Sequence, residues 1–163
     1  ASYRRQRQMC IRDSFNGIER EDTNIQTLVN VEYEVRKVLE YLIRNNNQII
    51  LIYPIPTQGW NVPNLFFYEK FNWGDTVGYS YDLWKVRSSK SKGLLDSIQS
   101  SQISRVYPEN IFCREIVDNL CVGAYRDKIF YSDDDHLSEE GAKLVSGLVI
   151  DEIQNILDSK KDY

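Results

Sequence analysis

The sequence has little histidine and no long apolar segment. Its 163 residues include one histidine, one methionine and three cysteines. The longest strongly apolar run, QIILIYPIP, is far shorter than the roughly 20 residues of a membrane-spanning helix. The formal net charge is −4, and no basic stripe indicates binding to nucleic acid or to an anionic membrane. The start of the chain also lacks a signal-peptide pattern. We therefore expect a soluble domain that does not bind nucleic acid.

The first 14 residues, ASYRRQRQMCIRDS, differ in composition from the rest of the chain. They hold four of the 20 basic residues and one of the 24 acidic residues, and they follow no helical or strand period. Met9–Asp13 can be encoded by DNA that resembles a transposon end used in preparing sequencing libraries. We therefore assign residues 1–14 to such an adapter and expect the natural domain to occupy 15–163. A disordered basic arm is the alternative.

The next part of the chain predicts a helix followed by a buried strand. Between Thr23 and about Asn45, apolar residues recur at three- and four-residue spacing with charges between them, which is typical of an amphipathic helix. The run QIILIY then predicts a strand that is buried on both faces and ends at Pro54. A helix followed by such a strand favours an α/β fold with a parallel sheet. Ligands of these folds usually lie at the carboxyl ends of the strands, where PIPTQGWNVPN follows.

Three further elements are predicted. A helix over 81–100 is interrupted or loosened by the Ser/Lys-rich stretch RSSKSKG, and a short strand covers 103–107. Ser138 is a candidate N-cap of a terminal apolar helix, with Glu139 and Glu140 in its first turn, where carboxylates complement the helix dipole. This helix should pack on the sheet.

The single histidine lies in the stretch YSDDDHLSEEGAKLV, just before the terminal helix. Asp133 precedes His136 by three residues, so both side chains can come from one turn. A carboxylate that orients an imidazole lets the ring take a proton from a hydroxyl nucleophile. We expect Asp134 and Asp135 mainly to shape or solvate the loop. The alternative is that the aspartates only cap the helix and that the histidine bonds a backbone carbonyl.

The same stretch resembles the last block of the SGNH (GDSL-like) hydrolase superfamily, most closely the SGNH domain fused to acyltransferase-3 proteins. FNGIERED, QIILIYPIPTQGWNVP and RVYPENIFC occur in the expected order, and the resemblance spans Phe15 to about Leu157. It implies the carboxyl-terminal portion of a three-layer α/β/α, flavodoxin-like fold with a parallel sheet and no cofactor. Asp133 and His136 match the acid and base of a Ser-His-Asp triad.

The serine of that triad has no match in this sequence. The family carries it in a Gly-Asp-Ser block upstream of the first helix predicted here. RDSFNG offers Ser14, but Arg12 stands where the sharp turn needs glycine. We therefore expect no nucleophile in this sequence and regard it as a fragment from which the serine block is missing.

The resemblance implies acyl transfer to, or ester hydrolysis on, hydroxyls of a cell-envelope polysaccharide, in a periplasmic domain fused to an upstream membrane acyltransferase. In that compartment, Cys113 and Cys121 are expected to form a disulfide. Trp60, Asn61 and Phe67 are candidate substrate-binding residues.

Two other functions stay open at this stage. The aromatic residues that follow the first strand could make the domain a non-catalytic carbohydrate-binding module. The aspartate cluster with His136 could instead ligate a divalent metal in a metal-dependent hydrolase. Adjacent carboxylates diverge, however, and no second cluster completes a shell, so we expect no metal.

Overall fold

The computed structural model describes residues 25–70 and 75–159. Residues 1–14, including Ser14, lie outside these ranges. The chain divides into two compact units, Ala1–Leu42 and Ile43–Tyr163. Helix α1, Ile25–Arg44, provides the described residues of the first unit. Its bounds confirm the predicted amphipathic helix.

The second unit contains a parallel pair of strands. Strand β1 (Ile49–Ile52) pairs with β3 (Ile103–Val106), with Ile49 opposite Ile103 and Ile52 opposite Val106. The predicted strands and their parallel arrangement are confirmed. The expectation that β1 is buried on both faces is wrong at its end, because Ile52 is 48% exposed. Among the described residues only β3 pairs with β1, so one edge of β1 has no strand beside it.

An antiparallel sheet forms the other half of the unit. Strands β2 (Thr76–Ser80), β4 (Leu120–Tyr125) and β5 (Lys128–Ile129) pair in the order β2-β4-β5. A bulge between Val77 and Gly78 shifts the register of β2 against β4. The fold is therefore mixed α/β, and the predicted fold class holds with this sheet added.

The remaining helices surround these strands. Helix α2 covers Val62–Lys70, α3 covers Tyr81–Asp96, and a short turn, α4 (Pro108–Asn110), continues into a π-helical turn at Ile111–Glu115. Helix α3 is continuous, so the predicted interruption at RSSKSKG is wrong. Ser80 caps this helix by accepting a hydrogen bond from the backbone N–H of Leu83.

The terminal helix α5, Glu139–Ser159, packs against β1, β3 and β5, as expected. Ser138 caps it: its hydroxyl oxygen accepts a hydrogen bond from the Gly141 N–H at 3.2 Å and donates to the Ile129 carbonyl at 2.6 Å. The cap therefore joins the start of α5 to β5. The main core lies between the antiparallel sheet, α2, α3 and the first turns of α5. Its buried members are Val62, Phe66, Val77, Tyr79, Trp84, Phe112, Cys113, Cys121, Val122, Ala124, Phe130, Tyr131 and Val145.

Candidate active site

The carboxylate of Asp133 is fixed by its own loop. Its Oδ1 accepts hydrogen bonds from the backbone N–H groups of His136, at 2.7 Å, and Asp135, at 3.0 Å. Its Oδ2 lies 2.8 Å from Nδ1 of the His136 ring. The backbone donors of His136 and Asp135 lower the pKa of Asp133 from 3.8 to about 2, because they stabilise the charged form. Asp133 is therefore an anion that points one oxygen at the imidazole.

His136 directs its Nδ1 toward carboxylates and leaves its Nε2 available. Hydrogen bonding to Asp133, the charge of Asp133 and then that of Asp135 raise the pKa of His136. The side chain is 75% exposed, and no described residue hydrogen-bonds to Nε2. With the Nδ1 proton held by carboxylate, neutral imidazole carries its lone pair on Nε2. The ring is thus arranged to accept a proton from a hydroxyl group.

Asp135 also contacts the ring, in addition to the expected role of shaping or solvating the loop. Its Oδ1 lies 2.9 Å from Nδ1 of His136. Asp134 makes no such contact. The predicted pair is therefore a group of two carboxylates and one imidazole.

The loop that carries this group is closed at its base. Tyr131 and Leu137 form an antiparallel bridge, and the Ser132 N–H donates to the His136 carbonyl at 2.8 Å. The hydroxyl of Ser132 also donates to that carbonyl, at 3.2 Å, and not to the ring. Ser132 is therefore not positioned as a nucleophile for His136.

The loop that follows β1 is hydrogen-bonded to the loop that carries His136. The backbone N–H of Gln58 donates to the Asp134 carbonyl at 2.7 Å, and that of Val62 donates to the Asp133 carbonyl at 3.0 Å. The hydroxyl of Tyr131 donates to the carbonyl of Pro56. The loop at the carboxyl end of β1 thus borders the candidate site, as the sequence predicted for ligands of such folds.

Gln58 was missed by the sequence analysis. Its side chain is fully buried, and neither atom of its amide meets a hydrogen-bonding partner among the described residues. It packs beside Gly123, where an added Cβ would lie 2.8 Å from the Gln58 Oε1. A polar residue in the apolar-flanked PIPTQGW loop was the only signal, and it does not distinguish burial from exposure.

The three candidate substrate-binding residues occupy different environments. Trp60 is partly buried and packs edge-on against Tyr79, with ring centroids 6.1 Å apart. The Oδ1 of Asn61 accepts from the Asn64 N–H at 3.0 Å and so caps α2. Only Phe67 offers a freely accessible ring, since its side chain is 57% exposed.

Asp133, Asp135 and His136 each offer a ligand atom, and these atoms lie within 4.8 Å of one another. The imidazole atom beside both carboxylates is Nδ1, which they already contact. No other His, Cys, Asp or Glu joins the group in the part of the chain that the structure describes. These contacts are those of an imidazole paired with two carboxylates. They do not favour a metal centre.

Away from this loop, Cys113 of the π-helical turn and Cys121 of β4 are joined by a disulfide, and both side chains are fully buried. Within the described ranges, no helix has the length and apolar character needed to cross a membrane.

Comparison with known families gives one match. The family model described as the SGNH domain (fused to AT3 domains) matches residues 2–151, which is most of the chain. The matched range includes nearly all of the segment 1–14 that its composition set apart. Searches of curated proteins and of solved structures found no match.

Proposed function

The chain belongs to the family of SGNH domains that are fused to AT3 domains, and on this premise we propose that it moves acyl groups between oxygen atoms through a Ser-His-Asp mechanism. The family implies hydrolase-like or acyltransferase-like chemistry. The proposed reaction is transfer of an acetyl-like group to hydroxyls of a cell-envelope polysaccharide, or hydrolysis of such esters. The carrying observation is the Asp133–His136 contact, with no described residue hydrogen-bonded to Nε2.

The proton transfers follow from the geometry of the ring. As the serine oxygen attacks the ester carbonyl carbon, its proton moves to Nε2 of His136. The resulting imidazolium is stabilised by the Asp133 carboxylate, whose Oδ2 faces Nδ1 at 2.8 Å. The proton then passes from Nε2 to the departing alkoxide, which leaves an acyl-serine. Water or a sugar hydroxyl then attacks the acyl carbon and passes its proton to Nε2. This proton moves on to the departing serine oxygen, which releases the acyl group and restores the serine hydroxyl and the neutral imidazole.

We assign the nucleophile to a serine block outside the sequence given. Ser132 directs its hydroxyl to a backbone carbonyl, and Ser14 follows Arg12 where the family turn needs glycine. On this assignment the 163-residue chain reacts poorly with a serine-directed phosphonate. Efficient phosphonate labelling of Ser14 would contradict it.

A polysaccharide acceptor is supported by the exposed aromatic rings of α2. Phe67 and its neighbour Tyr68 are both at least half exposed, and aromatic faces are suited to stack on sugar rings. The partners implied are a polysaccharide acceptor, an acyl donor and an upstream AT3-type membrane domain in the same protein. A periplasmic location fits the buried Cys113–Cys121 disulfide, because such bonds persist in oxidising compartments.

The same exposed rings favour a second candidate, a non-catalytic carbohydrate-binding domain. One experiment distinguishes acyl transfer from non-catalytic carbohydrate binding. The full-length protein, expressed from the undisturbed gene, is assayed for ester hydrolysis and sugar binding as wild type and as His136→Ala. The acyl-transfer proposal expects hydrolysis to fall by roughly 10⁶-fold, as for loss of a triad base, while sugar affinity is kept.

A chelator arm tests the remaining alternative. Activity that a chelator abolishes supports a metal-dependent hydrolase. Wild-type-like hydrolysis in His136→Ala ends the acyl-transfer proposal. Sugar binding by a full-length protein without turnover supports the binding module.

A further inference from the structure

The imidazole of His136 has two anionic partners at one nitrogen. Asp133 Oδ2 and Asp135 Oδ1 lie 2.8 and 2.9 Å from Nδ1. The two carboxylates are held differently. Asp133 also accepts two backbone N–H bonds through its other oxygen, whereas the ring is the only contact of the Asp135 carboxylate among the described residues.

We propose that Asp135 places a second carboxylate charge beside the Nδ1–Asp133 hydrogen bond of His136 and so sets the pH at which this histidine becomes a base. The pairing itself stands on the contacts described above. Its consequence for turnover rests on the proposed acyl-transfer function.

A single N–H cannot direct itself linearly at two oxygens, and the hydrogen bond of Nδ1 goes to Asp133, so Asp135 acts on the ring through its charge. Its carboxylate adds a second anion beside the imidazolium and favours the charged ring over the neutral one. The charges that act on the ring come from Asp133, Asp135 and Asp134, all in the same loop. Only the first two contact it.

The surroundings limit the size of the effect. The side chains of His136 and Asp135 are 75% and 53% exposed, so water and salt screen their interaction. Asp133 retains its backbone donors when Asp135 is neutralised, and it can still orient the ring. Asp135 therefore adjusts proton affinity, while Asp133 supplies the geometry. A base of higher proton affinity is stronger, but it is free of its proton only at higher pH.

The test uses the only histidine in the chain, whose Hε1 resonance gives one unambiguous NMR titration. Asp135→Asn is expected to lower the titration midpoint of His136 more than the matched control Asp134→Asn, whose residue carries the same charge but does not touch the ring. Asp135→Glu should restore the midpoint toward wild type. Equal shifts in Asp135→Asn and Asp134→Asn overturn the proposal, since they show that general charge alone acts.

A measurement on the wild-type chain guards against a variant that fails to fold. Adding salt should lower the His136 midpoint, and a midpoint that salt leaves unchanged contradicts an exposed ion pair. In the full-length protein, Asp135→Asn should move the acid limb of kcat/KM to lower pH. If the NMR midpoint shifts but the full-length protein shows no turnover, the pairing of Asp135 with His136 stands and the proposed function is wrong. If the full-length protein is active but the acid limb of its kcat/KM profile does not move in Asp135→Asn, the inference about Asp135 is wrong and the proposed function stands.

Discussion

The hydroxyl of Tyr131 donates a hydrogen bond to the carbonyl oxygen of Pro56, 75 residues earlier in the chain. This bond joins the loop that follows β1 to the loop that carries His136. Both residues are fully buried, so neither group has water as an alternative partner. Burial also raises the pKa of Tyr131, which keeps its hydroxyl protonated as a donor.

Tyr131→Phe is therefore expected to destabilise the domain by about 1–3 kcal/mol, because it leaves a buried carbonyl without its donor. Denaturant unfolding measures this loss. Tyr125→Phe is the matched control, since the Tyr125 ring is partly exposed and no described residue hydrogen-bonds to its hydroxyl. Equal losses in the two variants contradict the role assigned to the Tyr131–Pro56 bond.

The parts of this site that sequence predicted are those set by local chemistry. Asp133 and His136 are three residues apart, and Ser138 caps a helix that begins at the next residue, so each relationship lies within one turn. The Tyr131–Pro56 bond depends on a contact across 75 residues. No local pattern specifies such a pairing.

Strand β2 of the antiparallel sheet was missed for a related reason. Strands β2 and β4 each contain a glycine, Gly78 and Gly123, which lowers their resemblance to regular strands. The structure requires both glycines. A Cβ at Gly78 would lie 2.6 Å from the carbonyl oxygen of Cys121, and one at Gly123 would meet Gln58. Close packing in three dimensions therefore explains why these two positions are glycine, although glycine weakens the strand pattern in the sequence.

The disulfide gives a second prediction. Removing it by the paired change Cys113→Ser and Cys121→Ser should cost about 2–3 kcal/mol of unfolding free energy, from the closure of a short loop. Mass spectrometry of non-reduced peptides from periplasmically expressed protein should show the two cysteines linked. Free alkylation of both under native conditions would count against the bond and against the proposed compartment.

The low pKa of Asp133 makes stability depend on pH at the acid end. The folded pKa is about 2 and the ordinary value is 3.8. The stabilising contribution of the anion is therefore fully present above pH 3.8 and is lost as pH falls through about 2. Thermal unfolding between pH 5 and 2 should show a steeper decline for wild type than for Asp133→Asn. Asp134→Asn is the control and should follow wild type.

The same substitution tests Asp133 in turnover. In the full-length protein, Asp133→Asn should reduce ester hydrolysis by roughly 10⁴-fold, because the imidazolium loses the anion hydrogen-bonded to Nδ1 and the ring loses its fixed tautomer. Asp134→Asn should cost little, since its side chain does not contact His136. Initial rates of ester hydrolysis measure both, and similar losses in the two variants would contradict the triad role assigned to Asp133.

Two glycines of α5 allow the link between helix and loop to be tested directly. A Cβ at Gly141 would lie 2.2 Å from the carbonyl oxygen of Phe130, whereas one at Gly147 meets no atom within 4 Å. The Phe130 carbonyl also accepts the N–H of Ser138 at 2.9 Å, so displacing it disturbs the cap of α5. Gly141→Ala should therefore cost about 1–3 kcal/mol, as expected when an added methyl group overpacks a closed site.

Gly147→Ala should instead stabilise the domain by about 0.5–1 kcal/mol, because alanine loses less backbone entropy in a helix. Denaturant unfolding distinguishes the two variants by sign. The Hε1 resonance of His136 supplies a local measurement, since Phe130 directly precedes the residue at the base of the histidine loop. It should shift in Gly141→Ala and stay in place in Gly147→Ala. Stabilisation by both variants would show that Phe130 and the cap of α5 move apart freely, and the loop would then not depend on their contact.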